Sequence, residues 1–175
     1  MPDASTRTGL VLLTPDVDPL VDQWRRRYDP SRARGMPAHV TILYPWLRYE
    51  TITSNDRSAL AELCVRRPPF DITFSRFGRF PHTLWLEPQP AEPILQLVGE
   101  LAERWPDHPP YSGEIPVVVM HLTLADGHDP GALHEVVADI EPHLPVRVTV
   151  PALALMRVRS GRWVVDSEYP FAGQG

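Results

Sequence analysis

The feature that most constrains how this chain can fold is that it runs twice through one order of elements. Residues 10–13 have the apolar pattern of a strand, stopped by Pro15. Residues 19–28 read as a helix, with Asp18 as a candidate N-cap and Pro19 at the first helical position. A loop of Arg, Pro and Gly leads to a β-rich segment at 39–43, ended by Pro45. A second helix at 54–65 carries Leu60, Leu63 and Cys64 on one stripe. Two strands follow, 70–80 and 84–87, around a short Pro-His turn. The order then restarts. Strand 84–86 ends at Pro88, and Pro93 opens a helix to Arg104 with Ile94, Leu97, Val98 and Leu101 on its apolar face. A Pro- and Gly-rich loop, 105–116, leads to a strand at 117–124. Residues 130–140 read as a helix, and 146–158 and 163–169 as strands around Ser160-Gly161.

The two passes also agree in spacing: 46 positions separate His39 from Trp85, and 42 separate His121 from Trp163. A duplicated unit is expected, approximately 9–88 and 84–171, forming two lobes of a single domain spanning 1–175. Neither half has enough chain for a comfortable core of its own. Short strands and helices without a long βαβ series predict the α+β class. The expected architecture is two pseudo-symmetric lobes, each a mostly antiparallel sheet with flanking helices, facing a shared cleft.

Composition narrows the chemistry. All 17 basic residues are arginine. Without lysine there is no Walker-type phosphate loop, no Schiff base and no covalent lysyl-nucleotide. Phosphate would have to be handled by arginine, histidine, hydroxyls and backbone N–H groups. A formal charge of −5 argues against general affinity for long nucleic acid, which usually needs a basic excess. A small nucleotide or RNA end in a local pocket remains compatible. The single cysteine, Cys64, lies at core spacing and cannot form an internal disulfide. The N-terminal segment lacks an apolar signal core, and no apolar run approaches the ~18 residues of a membrane span, so a cytoplasmic protein is expected.

The chemistry falls on two His-x-Thr segments at equivalent places in the repeat. Residues i and i+2 of a strand share a face. His39 and Thr41 therefore face one way and Val40 and Ile42 the other; His121 and Thr123 oppose Leu122 and Leu124 likewise. With 7 His and ten Thr in 175 residues, chance gives roughly 0.4 such matches, so one alone is weak and two in register are not.

Ala38-His-Val-Thr-Ile-Leu-Tyr-Pro45 and Met120-His-Leu-Thr-Leu-Ala125 resemble the paired signatures of the 2H phosphoesterase superfamily. That superfamily includes the bacterial 2′-5′ RNA ligase family and cyclic nucleotide phosphodiesterases. The resemblance covers about Gly9 to Phe171. It implies a bilobal fold and phosphodiester chemistry without metal or other cofactor in the cleft. It also implies a catalytic pair at His39 and His121, with hydroxyls from Thr41 and Thr123. The expected substrate is a small nucleotide or RNA end with a 2′,3′-cyclic phosphate or 2′-5′ linkage. No protein partner or membrane is expected, and the chain should act as a monomer.

Two histidines titrating near neutrality can serve as base and acid, and two hydroxyls can donate to the non-bridging oxygens. Which histidine plays which part stays open at this level. Arg79 and Arg157 each lie six residues before a tryptophan of the repeat, which makes them candidate substrate-binding mates. Arg32 and Arg34, and Tyr111, Ser112 and Gly113, lie in the loops before the two motifs and are candidate walls. Tyr44, with Trp46 or Phe77, is a candidate for stacking on a base. Arg25, Arg26 and Arg27 read as a solvated helix face. Asp126, His128 and Asp129 offer a loose metal cluster, but also suit a turn entering a helix. The alternatives are therefore a non-catalytic nucleotide- or RNA-end-binding module retaining the cleft, a metal-dependent hydrolase and a purely structural protein.

Overall fold

The computed structural model describes residues 6–114 and 117–173. Its strands are β1 (Thr8–Leu13), β2 (His39–Leu43), β3 (Phe70–Phe80), β4 (Thr83–Gln89), β5 (Leu122–Asp126), β6 (Val146–Val150), β7 (Ala152–Arg159) and β8 (Arg162–Pro170). Its α-helices are α1 (Asp18–Tyr28), the single turn α2 (Pro30–Ala33), α3 (Ser54–Val65), α4 (Glu92–Arg104) and α5 (His134–Ile140). The strands form two four-stranded sheets, β2-β1-β7-β8 and β5-β4-β3-β6. Every neighbouring pair is antiparallel. The α+β, two-lobed architecture expected from the repeat is the one observed.

The halves at 9–88 and 84–171 do not each build one lobe, however. The first sheet takes β1 and β2 from the start of the chain and β7 and β8 from its end, and the second takes β3 to β6. The cause is visible at Pro151, between β6 and β7. The apolar run 146–158 looks like one strand, but proline has no N–H for the ladder. The chain therefore leaves one sheet at Val150 and enters the other at Ala152. Helices cross over as well: α1, which links β1 to β2, packs on β5 of the other sheet, and α4, which links β4 to β5, packs on β2.

Local chemistry explains most boundaries. Thr53 and Asp56 form a reciprocal capping box that starts α3 where the sequence places it. Asp18 does not cap α1. It is the first helical residue, and its carboxylate accepts the Ala38 N–H (3.2 Å), tying the helix start to the approach of β2. The expected strand 117–124 begins only at Leu122, where the β4 ladder runs out at the Leu86–Leu122 pair. The expected helix 130–140 is split. Asp129 accepts the Gly131 N–H to cap a 3-10 turn at Pro130–Ala132, and α5 starts at His134.

The alternating strand residues meet in one core. Leu10, Leu12, Val40 and Ile42 from the first sheet join Ile72, Phe74, Leu84, Leu86, Leu122 and Leu124 from the second. Leu60, Leu63 and Cys64 of α3, and Ile94, Leu97 and Leu101 of α4, close it. Each fully buried Leu or Ile contributes about 1.5–3 kcal/mol. Cys64 is a core residue as expected, and burial pushes its thiol pKa up to about 12.

Candidate active site

Strands β2 and β5 are the edges of their sheets and lie next to each other. Each buries its even-numbered apolar side chains, Val40 and Ile42 on one and Leu122 and Leu124 on the other. The opposite faces present His39, Thr41, His121 and Thr123 to a single cavity of about 510 Å³. The four residues singled out by the repeat are therefore brought together, although His121 sits one residue before β5 rather than within it.

The two imidazoles are held alike. The Nδ1–H of His39 donates to the Pro37 carbonyl (2.8 Å), and that of His121 to the Val119 carbonyl (2.7 Å). A carbonyl only accepts, so both rings carry the proton on Nδ1 and leave Nε2 for the cleft. Burial is the main cause that lowers the His39 pKa from 6.5 to about 4; the hydrogen bond to Pro37 acts in the opposite sense, and the Arg25 guanidinium and the Asp29 carboxylate beside it act against each other. Burial also lowers the His121 pKa, but the Asp126 carboxylate acts in the opposite sense. Asp126 lines the same cavity and accepts a hydrogen bond from Thr83 Oγ1 (2.9 Å).

Arg25 is not on a solvated face. It is 1% exposed, its Nη2 lies 2.8 Å from Asp29, and its Nε donates to the Thr123 carbonyl (3.1 Å). Helix α1 thus reaches across to hold the strand that carries the second motif. Asp29 and Ser31 reach the cavity wall, with the Ser31 N–H donating to Asp29 (2.8 Å). A lone arginine beside Arg26 and Arg27 gives no sequence signal for this role; only the packing of α1 on β5 does. Arg26 and Arg27 are exposed.

The remaining walls are mostly apolar. Tyr111 enters the cavity from a stretch in which Tyr111 and Ser112 adopt left-handed φ values of 52° and 55°. That strained turn is held where the Tyr111 N–H donates to the Tyr44 carbonyl (2.7 Å). Burial raises the Tyr111 pKa. Phe80 stands edge-on to His121 at 5.3 Å, and Trp85 lies 5.9 Å from the same ring. Trp85 can lie there because its cross-strand partner is Gly78: a Cβ at that position would come within 2.2 Å of the indole.

The other expected ligand contacts lie elsewhere. Arg79 is exposed beside a separate hollow with Ser75 and Glu141. Arg157 is paired with Asp166 (3.2 Å) and stacks on Tyr49 at 4.1 Å. The analogy between these arginines fails because Trp85 lies on β4, inside its sheet, while Trp163 lies on the edge strand β8. Tyr44 packs edge-on against Trp163 at 5.9 Å, Trp46 against Trp105 at 5.3 Å, and Phe77 borders the Arg79 hollow. Arg32 is paired with Asp22, and Arg34 is exposed. Of the metal candidates, Asp129 caps a turn, His128 packs against Tyr28, and Asp126 faces the cleft. Among the described residues no group of three His, Cys, Asp or Glu is placed to hold a metal ion. Nor, among those residues, is any helix long and apolar enough to cross a membrane.

The chain is similar to several known proteins. A family profile described as the 2′-5′ RNA ligase superfamily matches residues 13–162. A Geobacillus kaustophilus (strain HTA426) protein carrying the name "Putative phosphoesterase GK0864" is 25% identical over 95% of this chain and 96% of its own length. Among solved structures, TT0787 of Thermus thermophilus has a TM-score of 0.65 at 20% identity, covering 97% of this chain and 100% of that one. E. coli LigT complexed with 3′-AMP has a TM-score of 0.60 at 18% identity, covering 95% and 98%. At these identities the structural likeness speaks for the fold.

Proposed function

Because the chain belongs to the 2′-5′ RNA ligase superfamily of 2H phosphoesterases, we propose that it is a two-histidine phosphoesterase working without metal. Its substrates would be 2′,3′-cyclic phosphates or 2′-5′ phosphodiester bonds in small nucleotides or RNA ends. Family membership supports phosphoesterase activity of this general kind. The observation that carries the finer reading is the pair of matched imidazoles, each with Nδ1–H on a backbone carbonyl and Nε2 free for one shared cavity.

In this reading the phosphorus of the diester sits between the two Nε2 atoms. The neutral histidine takes a proton from the attacking water as the new P–O bond forms. The protonated one delivers its proton to the ribose oxygen as the old P–O bond breaks. The two threonine hydroxyls donate to the non-bridging oxygens, each contributing on the order of 1.5–3 kcal/mol to a charged partner. Burial favours His39 as the base, since it keeps that ring neutral. Asp126 favours the proton on His121. The same reading has the protein act as a monomer in the cytoplasm.

Hydrolysis of 2′,3′-cyclic nucleotides and 2′-5′ oligonucleotides, with chelator present, tests it. Each of His39→Ala and His121→Ala should lower kcat/KM by about 10²–10⁴. Activity that survives either substitution, or that disappears with chelator alone, overturns the mechanism.

A further inference from the structure

Tyr111, Ser112 and Ser160 are the described residues other than glycine with positive φ. Ser160 has a local reason. It precedes Gly161 (φ 76°) in the two-residue hairpin between β7 and β8, a turn that needs positive φ at both central positions. Tyr111 and Ser112 have no such reason. They lie between α4 and β5, outside any hairpin, at φ 52°, ψ 35° and φ 55°, ψ 22°. Glycine stands only at the next position, Gly113 (φ 75°), where left-handed backbone meets no steric cost. A bulky side chain in this region is an outlier, and such strain gathers where a group must be held for function.

Core packing does not offset the strain. Tyr28, Tyr44 and Tyr169 belong to or pack on the two apolar clusters, and Tyr111 does not. The ring is half-buried, yet among the described residues its hydroxyl has no hydrogen-bond partner, which a buried phenol ordinarily finds. The main chain holds it instead. Its N–H donates to the Tyr44 carbonyl just past β2 (2.7 Å), and the Ser112 and Glu114 N–H groups close the turn on the Pro109 and Tyr111 carbonyls (3.0 and 3.1 Å). The ring is thereby set in the wall of the cavity that takes both histidines and both threonines. Taken with the reading of that cavity as a phosphoesterase cleft, on which the proposal rests, we infer that Tyr111 is a substrate-contacting residue. The left-handed turn holds its phenol in the cleft with the O–H free to donate to a bound nucleotide.

A nucleotide offers acceptors in its phosphate and ribose oxygens. A cavity of about 510 Å³ is on the scale of one such ligand, which it would enclose on most sides. Burial raises the Tyr111 pKa, so the hydroxyl stays protonated and remains a donor at neutral pH. Two consequences separate this role from a merely structural one. A hydroxyl without a protein partner can be removed at little cost to the folded state, while the complex with ligand loses a bond. A strained turn becomes more stable when glycine replaces Ser112, while the ring it held becomes less well fixed.

The test compares wild type, Tyr111→Phe and Ser112→Gly in three measurements: turnover of adenosine 2′,3′-cyclic phosphate, calorimetric binding of adenosine 3′-monophosphate, and the thermal unfolding midpoint. Tyr111→Phe should keep the midpoint within about 2 °C of wild type. It should lower both kcat/KM and the affinity by about 3-fold or more. Ser112→Gly should raise the midpoint by about 2–4 °C while raising KM. A smaller loss in Tyr111→Phe, or a midpoint that falls further, overturns the inference and leaves the phosphoesterase reading intact. A Ser112→Gly protein that melts at or below the wild-type temperature refutes the strain on which the inference stands. If wild type binds the monophosphate without turning over the cyclic phosphate, the phosphoesterase reading fails and the affinity of Tyr111→Phe decides this one. If it does neither, both fail.

Discussion

Replacing Arg25 with methionine should be among the most damaging single changes outside the two motifs. The side chain is 1% exposed and Asp29 is 4% exposed, so the substitution strands a carboxylate in a nearly dry site. Asp29 would keep only the Ser31 N–H, and the Thr123 carbonyl would lose its guanidinium partner. Removing one member of a buried ion pair costs about 3–5 kcal/mol. Against a typical domain stability of about 5–15 kcal/mol, that leaves a folded but weakened protein. The pair itself need not be worth so much. Arg25→Met combined with Asp29→Asn removes the stranded charge and should recover about 2 kcal/mol. Urea unfolding followed by tryptophan fluorescence measures Arg25→Met, Asp29→Asn and the double variant. A loss below about 1 kcal/mol for Arg25→Met, or strict additivity in the double variant, would refute the account.

Two further predictions concern the histidine rings. Both histidine pKa values lie below 6.5, so the form with one ring protonated and the other neutral peaks on the acid side of neutrality. The pH profile of kcat/KM should therefore have its maximum below pH 6.5; a maximum above about pH 7 would contradict it. His39 also links stability to pH. Its folded pKa is depressed to about 4, so the unfolded chain binds the proton more readily. The stability it contributes is complete above about pH 6.5 and is lost as pH falls from there through about 4, which acid titration of the unfolding midpoint, compared with His39→Gln, can check. Finally, Gly78→Ala should displace Trp85 from beside His121, at a cost of about 1–3 kcal/mol and a reduced kcat. Wild-type stability and kinetics in that variant would mean that the indole position is not needed.

Much of the site was legible because a strand's alternation is a local property. His39 and Thr41 share a face whatever the rest of the chain does, and so do His121 and Thr123. The repeat then put both pairs at equivalent places. What stayed illegible depended on partners distant in sequence. Arg25 looks solvated until α1 is laid on β5, 98 residues away at Thr123. Arg79 and Arg157 look like mates until their strands enter different sheets. The apolar run 146–158 shows no sign of a change of sheet except Pro151. Phe80 carries no sequence signal, since an aromatic beside a turn has no distinguishing spacing; only its edge-on contact with His121 gives it a place in the cleft.

The exchange of strands has a mechanical consequence. Two lobes joined by one linker can gape like a jaw, but here the chain passes from the first sheet to the second after β2 and returns between Val150 and Ala152. Helices α1 and α4 brace each sheet from the other's unit. Wide opening would have to strain a one-residue joint and slide two packed helices together. The slot between the histidines is therefore built to hold its width, and substrate should enter past the Tyr111 and Val117 to Val119 rim rather than through any parting of the lobes.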